Sequence, residues 1–147
     1  MSQFDPILII LQIIALQCLF YFSMGTAIVC IHLLFDKHIS LEYFFSPNYS
    51  NLATVDGLAE AFCVLMASLT GAWLLSIIVG KSKKCVDFTF TVFFIHTVAC
   101  TFYESFPLNW EWYLVMVISS VLMASVGEYW CALKEMEDIP LYSPVQT

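Results

Sequence analysis

Arginine is absent from this chain, and positive charge of any kind is rare. The basic residues number 5, all lysines, among 147 residues, and charged residues make up 12% of the chain. Typical soluble domains carry about 25% charged residues. With a net charge of -7 and no basic stripe to neutralise phosphates, the chain lacks the charge pattern of a nucleic-acid-binding protein. It also lacks the guanidinium group that binds phosphate through two parallel hydrogen bonds.

Motifs for catalysis and metal binding are missing as well. The sequence contains no Gly-x-Ser-x-Gly, no phosphate-cradling glycine-rich loop, and no Cys-x-x-Cys or His/Cys cluster with metal-ligand spacing. Most of the 6 cysteines lie inside apolar runs, where cysteine packs as a small hydrophobe. Cys85 and Cys131 lie at predicted membrane edges, where we favour packing over palmitoylation. We therefore expect no enzyme activity, no cofactor and no metal.

Apolar residues, in contrast, are abundant: 61% of the chain is hydrophobic and the mean hydropathy is +0.84. Such a chain cannot cover its outer surface with charge, so lipid is its expected solvent. Four apolar runs reach about the 20 residues that a spanning helix needs. The sequence predicts a single all-α domain, an integral membrane bundle of four transmembrane helices. Their approximate ranges are 6–34, 56–79, 86–103 and 111–132, followed by a short polar tail, 133–147, expected to be extended.

The orientation of this bundle is predicted from its lysines. Lys81, Lys83 and Lys84 lie between the second and third apolar runs, and lysine is retained on the cytoplasmic side during insertion. Four spans then put both termini in the cytoplasm, with Lys134 on the same side and Lys37 on the other. The first run has no basic region before it and exceeds the apolar length of a signal peptide, so we expect it to be retained.

Several polar residues are predicted inside the membrane. Gln12 and Gln17 belong to the first helix. Glu60 is interpreted as an interfacial residue favoured by the helix dipole, with a functional intramembrane carboxylate as the alternative. His96 is expected to be buried and hydrogen-bonded to a neighbouring helix, with a proton relay as the alternative. Asn48 begins a glycosylation sequon, for which we favour chance occurrence.

Helical periodicity predicts which faces point into the bundle. The third helix should bury one mixed aromatic and polar face, and the second and fourth should each present a stripe of small residues. These sets are Thr89, Phe93, His96, Cys100 and Tyr103 in the third helix, Cys63, Ala67 and Gly71 in the second, and Ser120, Ala124, Gly127 and Cys131 in the fourth.

Candidate partner-binding residues lie at the cytoplasmic helix ends. Asp87 begins the predicted third helix, where the helix dipole stabilises it. Glu128 is predicted near the end of the fourth helix, where the dipole opposes a negative charge, so we expect it to pair with Lys84, a hydroxyl group or a partner's donor. Tyr129 and Glu135 complete this candidate set.

The sequence resembles the Sys-one family of Golgi membrane proteins over most of its length. The matching pieces are Asp5-Pro6 with Gln12, Gln17 and Tyr21; Cys85-Val86-Asp87-Phe88-Thr89 with Thr91 and His96; and Gly127-Glu128-Tyr129 with Cys131, Glu135 and Ile139-Pro140-Leu141. The chain departs from the family at Phe93, where relatives carry a second histidine, and this weakens a two-histidine relay. The loop 35–55 also shows little likeness.

The resemblance implies a multi-pass protein of the trans-Golgi membrane that acts as the receptor for an Arf-related small GTPase and supports vesicle trafficking and protein transport. The alternative function is a small proton-coupled carrier that uses the intramembrane Glu60, Asp87, His96 and Glu128. Pro or paired Gly breaks, which mark the discontinuous helices of many carriers, are absent from the predicted spans. The sequence leaves the oligomeric state open.

Overall fold

The computed structural model describes most of the chain as helix. The described residues are 5–36, 38, 40, 42–45, 51–103 and 108–137. They form α1 (Pro6–Leu34), α2 (Glu42–Phe45), α3 (Val55–Ile78), α4 (Ser82–Tyr103) and α5 (Trp110–Glu137), and no strand occurs among them. Four of these helices, α1, α3, α4 and α5, are long and apolar enough to cross a membrane. The predicted all-α class and the four spans are confirmed.

The two helix starts with clear capping side chains show why the chain folds at those points. Asp5 precedes Pro6, and its carboxylate accepts hydrogen bonds from the backbone N–H groups of Ile7 at 3.1 Å and Leu8 at 3.4 Å. Thr54 accepts from the N–H of Gly57 at 3.1 Å before α3. Each side chain satisfies N–H groups that have no partner within the helix itself.

Two helix ends differ from the sequence prediction. Helix α4 begins at Ser82 rather than near 86, and α5 continues to Glu137 rather than ending near 132. The added residues are mostly Lys, Glu and Met, which favour helix. The charged residues among them are too polar for the membrane interior. Asp87 therefore lies in the second turn of α4, and Glu128 lies about two and a half turns before the end of α5. The predicted opposition between Glu128 and the helix dipole is wrong, because that effect is confined to the last turn.

Three hydrogen bonds bring four helix termini together at one end of the bundle. Gln12 Nε2 donates to the carbonyl of Ile78 at 2.8 Å, joining the start of α1 to the end of α3. Lys134 Nζ donates to the carbonyl of Ser76 at 3.0 Å, and Ser82 Oγ donates to Glu135 Oε2 at 2.6 Å. We call this the lysine end, because Lys81, Lys83 and Lys84 lie there. The side of the membrane that it faces stays a prediction.

The turn at the lysine end is tight and depends on a glycine. Gly80 has φ of 60°, a left-handed conformation that costs glycine little, and its N–H donates to the carbonyl of Leu75 at 3.1 Å. This turn leaves only Val79, Gly80 and Lys81 between α3 and α4. The exposed Lys81 therefore lies in this turn, and Lys83 and Lys84 lie in the first turn of α4.

Helix α3 is the centre of the bundle and packs against both α1 and α5. Its predicted stripe, Cys63, Ala67 and Gly71, is buried. The facing stripe on α5 is partly wrong: Gly127 and Cys131 are buried, but Ser120 and Ala124 are half-buried. Ser119 and Met123, each 0% exposed, take the places predicted for Ser120 and Ala124 in the buried row. The difference arises because Met123 fills the space above Gly71, with Cε 2.9 Å from where a Cβ would lie.

The predicted inward face of α4 is buried at Thr89, Phe93, His96 and Cys100. Tyr103 is an exception, with 48% of its surface exposed. Its ring centroid lies 5.5 Å from that of Phe45 in α2.

Candidate functional site

His96 lies in the interior of the bundle, where α1, α2 and α4 meet. Its ring is 1% exposed, and Nδ1 shares a hydrogen bond with the hydroxyl of Tyr21 on α1 at 3.2 Å. Nε2 lies 3.7 Å from Sγ of Cys100. The rings of Phe20 and Phe45 enclose it, each with its centroid 6.3 Å away. The prediction of a buried histidine hydrogen-bonded to a neighbouring helix is confirmed.

The contacts of α2 with the bundle were not predicted from the sequence. Phe44 touches α1 at Gly25, where a Cβ would lie 3.1 Å from the phenylalanine Cζ. Phe45 packs against Tyr21 at 5.8 Å between ring centroids. A four-residue helix is too short for its periodicity to identify a buried face from the sequence.

Glu60 lies at the opposite end of the bundle from the lysines, beside a small cavity. The cavity has a volume of about 20 Å³, and its lining includes His32, Tyr43, Asp56 and Glu60. Such a volume holds about one water molecule and excludes a larger substrate. Glu60 is 7% exposed and lies in the second turn of α3, so its side chain faces the bundle interior. Its depth relative to the membrane interface stays a prediction. His32 is also buried, and its Nδ1 lies 2.9 Å from the carbonyl of Ile28.

The two glutamines of α1 have different surroundings. Gln12 joins α1 to α3 through the carbonyl of Ile78, as described above. Gln17 is half-buried, and neither its Nε2 nor its Oε1 makes a hydrogen bond of ordinary geometry. Gln12 therefore joins two helices, whereas Gln17 is a half-buried residue close to Tyr21 whose amide atoms are buried.

Two cysteines meet at the lysine end. Cys85 Sγ lies 3.2 Å from Cys131 Sγ, across the contact between α4 and α5, and both side chains are 0% exposed. Each is a free thiol. Their burial agrees with a packing role, because an acyl chain cannot be attached to a thiol that has no access to solvent.

The candidate partner-binding residues do not form one cluster. Glu128 and Tyr129 are exposed on α5, with Tyr129 62% exposed. Glu135 is half-buried and accepts the hydrogen bond from Ser82. Asp87 is exposed on α4 and lines a groove shared with α1. The structure therefore separates Asp87 from the exposed residues of α5.

The predicted pair between Glu128 and Lys84 is not formed. Among the described residues, neither side chain takes part in an ion pair or a hydrogen bond. Lys81, Lys83 and Lys84 are all exposed. Glu128 is thus an exposed carboxylate that its own chain does not neutralise within the described part.

Three predicted features lie outside the part of the chain that the structure describes. Lys37, the sequon at Asn48 and the tail from 138 onward lie outside the described residues. Within the described ranges, no three His, Cys, Asp or Glu side chains converge as metal ligands would.

Comparison with known proteins identifies the family. The family model described as "Integral membrane protein S linking to the trans Golgi network" matches residues 1–141. A SYS1 homolog of Nematostella vectensis is 41% identical over 140 residues, covering 94% of this chain and 88% of the relative. A SYS1 homolog of Dictyostelium discoideum is 38% identical over 140 residues. This match covers 95% of this chain and 60% of the Dictyostelium protein.

A more distant relative, protein SYS1 of Saccharomyces cerevisiae, is 29% identical over 140 residues, covering 93% of this chain and 68% of the yeast protein. No solved structure matches the chain. The family model spans nearly the whole length, from before α1 to beyond α5. The chain therefore belongs to the SYS1 family of integral membrane proteins.

Proposed function

We propose that this protein is a trans-Golgi membrane receptor that recruits an Arf-related small GTPase and so supports vesicle trafficking and protein transport. The observation that carries the proposal is the family match over residues 1–141, whose description links the family to the trans-Golgi network. The GTPase as partner comes from the resemblance given above. The long helices are mostly apolar, so a soluble partner can bind only at the ends of the bundle.

The physical need for such a receptor follows from the weakness of single membrane anchors. One lipid chain or one short amphipathic segment gives only reversible attachment, and stable attachment requires a second signal. A resident membrane protein supplies that signal when its water-exposed surface binds the GTPase. We expect this surface to lie at the lysine end, which the lysine distribution predicts to be cytoplasmic.

The last turns of α5 are the best candidate for the docking surface. Helix α5 has 28 residues, about 42 Å of helix, whereas the hydrocarbon core is about 30 Å thick. One exposed face at the lysine end combines apolar and acidic side chains. Its residues are Glu128, Tyr129, Leu133, Met136 and Glu137. The apolar members supply contact area, and the carboxylates suit a basic patch on the partner and favour rapid association.

The deciding experiment removes one charge from this face. Glu128→Gln keeps the size of the side chain and its hydrogen-bonding capacity. We expect normal abundance at the Golgi with recruitment of the GTPase reduced about tenfold, leaving most of it in the cytosol. The matched control is Asp36→Asn, which removes one exposed negative charge at the opposite end and should leave recruitment unchanged. Pull-down of small GTPases loaded with each nucleotide measures the same interaction in vitro.

Two outcomes would contradict this assignment of Glu128. Loss of the variant protein itself would show a folding role, and unchanged recruitment would show that the charge takes no part in docking. Failure of the wild-type protein to capture a small GTPase in any nucleotide state would overturn the receptor function as a whole.

A proton-coupled carrier is the alternative, and the burial of Glu60 and His96 is the observation that favours it. Helices α3 and α4, which carry these residues, are each continuous. The two functions are separated by proton flux from purified protein in liposomes. Flux without GTPase capture supports the carrier.

A further inference from the structure

A groove opens between α1 and α4 at the lysine end. The two helices contact each other deeper in the bundle, where the ring centroids of Phe20 and Phe93 lie 5.6 Å apart. Toward the lysine end they separate and leave a space of about 310 Å³, which is within the usual size of ligand pockets. Its lining residues are Ile9, Ile13, Lys84, Asp87, Phe88 and Thr91.

The walls and the rim of this groove differ in chemistry. Ile9 and Ile13 lie one helical turn apart on α1, and Phe88 faces the groove from α4. These three form an apolar wall. Lys84 and Asp87 lie one turn apart on α4 and are exposed at the rim. The hydroxyl of Thr91 is already used, since it donates to the backbone carbonyl of Asp87 at 2.8 Å.

The two rim charges have opposite signs and no ionic partner among the described residues, and they do not pair with each other. They lie in the first two turns of α4. In the predicted orientation we expect these turns at the level of the phospholipid headgroups, with the apolar wall facing them and continuing toward the acyl chains. A ligand that complements the groove therefore needs an anionic group, a cationic group next to it and an apolar chain.

We infer that this groove binds one phospholipid whose headgroup carries a phosphate, a primary ammonium and no further anionic group, namely phosphatidylethanolamine. The additional carboxylate of phosphatidylserine would lie beside Asp87, which has the same charge. The ammonium of Lys84 donates to the phosphate, and the carboxylate of Asp87 accepts from the ethanolamine N–H groups. One acyl chain lies along Ile9, Ile13 and Phe88. Phosphatidylcholine fits less well, because its quaternary ammonium has no N–H to donate. An anionic headgroup without an ammonium leaves Asp87 beside a phosphate of like charge.

The inference is tested with the full-length protein in detergent by native mass spectrometry. The probes are phosphatidylethanolamine, phosphatidylcholine and phosphatidylglycerol, titrated separately after removal of bound lipid. We expect one phosphatidylethanolamine to bind preferentially. Lys84→Ala should weaken this binding about tenfold, a typical loss for one charge-assisted hydrogen bond. Lys83→Ala is the matched control, because Lys83 is exposed in the same turn but does not line the groove.

Two further variants test the ammonium contact and the apolar wall. Asp87→Asn should weaken phosphatidylethanolamine binding while leaving phosphatidylglycerol binding equal or stronger, so the preference between the two lipids narrows. Ile13→Trp should fill the groove and abolish the preference. Ile10→Trp is its control, because Ile10 is 56% exposed on the outer face of α1 and is not a lining residue.

Equal lipid affinity in the Lys84 and Lys83 variants would overturn the inference, as would binding that does not distinguish the three lipids. Normal lipid binding by Ile13→Trp combined with loss of GTPase recruitment would also overturn it and would assign the groove to a protein segment. Monodisperse gel filtration and helical circular dichroism confirm that each variant is folded. Lipid binding is measured without the GTPase, so its result is independent of the receptor function.

Discussion

One buried polar residue, His96, links two helices in the interior of this bundle through a hydrogen bond. A polar group that leaves water for an apolar surrounding needs a hydrogen-bond partner to offset the lost hydration. The Tyr21 hydroxyl gives His96 such a partner across two helices that otherwise meet through aromatic contacts. This hydrogen bond therefore contributes to the packing of α1 against α4.

Tyr21→Phe should destabilise the protein by about 1 kcal/mol, because His96 Nδ1 stays buried after losing its partner. The free energy of unfolding in mixed detergent micelles measures the effect. Tyr129→Phe is the control, since Tyr129 is 62% exposed and makes no hydrogen bond within the described part of the chain. Its effect should stay within about 0.5 kcal/mol. Equal losses in the two variants would show that the hydrogen bond to His96 does not contribute to stability.

The sequence predicted the burial of His96 but not the identity of its partner. Helical spacing with Thr89, Phe93 and Cys100 placed the histidine on an inward face of α4. Tyr21 lies 75 positions away along the chain. A pattern within one helix cannot identify which residue of another helix it meets, because that depends on the rotation of both helices.

At the scale of the helices, α3 and α5 approach closely because small residues face larger ones. Gly71 lies beneath Met123, and Gly127 lies beneath Leu75, whose Cδ1 would be 2.9 Å from a Cβ at position 127. In a membrane, helix contacts depend on such packing, since lipid is as apolar as the side chains. The pairing of a glycine on each helix with a long side chain on the other fixes their relative position.

Gly127→Leu should destabilise the protein by about 1–3 kcal/mol, because the added side chain overlaps Leu75 and forces α3 and α5 apart. Ser125→Leu adds a side chain of the same size at an exposed position of α5 and should have little effect. Unfolding in mixed micelles compares the two. A Gly127 variant as stable as the Ser125 variant would contradict the close contact between α3 and α5.

The helix types and most of the buried faces were predictable from apolar length and periodicity, but two features were not. The row of buried residues on α5 includes Met123, which a search for small residues does not find. The ends of α4 and α5 were placed where apolar character stops, whereas the helices continue into polar sequence at Ser82 and Glu137. Hydropathy identifies the membrane boundary, and helix propensity and capping decide where the helix itself ends.

For the whole molecule, the decisive property is the unequal distribution of positive charge between its two ends. Lys81, Lys83, Lys84 and Lys134 all lie at the lysine end, beside the start of α1 and the end of α5. Short loops rich in lysine are retained in the cytoplasm during insertion. The proposed receptor function requires this orientation, because a small GTPase can reach only the cytoplasmic face.

Replacing Lys81, Lys83 and Lys84 together with Gln should therefore raise the misinserted fraction several-fold, since it removes most of the charge difference between the two ends. The measurement is protease protection of a tag placed after Thr147 in sealed vesicles. In the unmodified protein the tag should be removed, and in the variant part of it should be protected. Replacement of the same lysines with Arg keeps the charge and should keep the tag accessible. A protected tag in the unmodified protein would contradict the predicted orientation. Correct topology of the Gln variant with loss of GTPase recruitment would instead show that these lysines are docking residues.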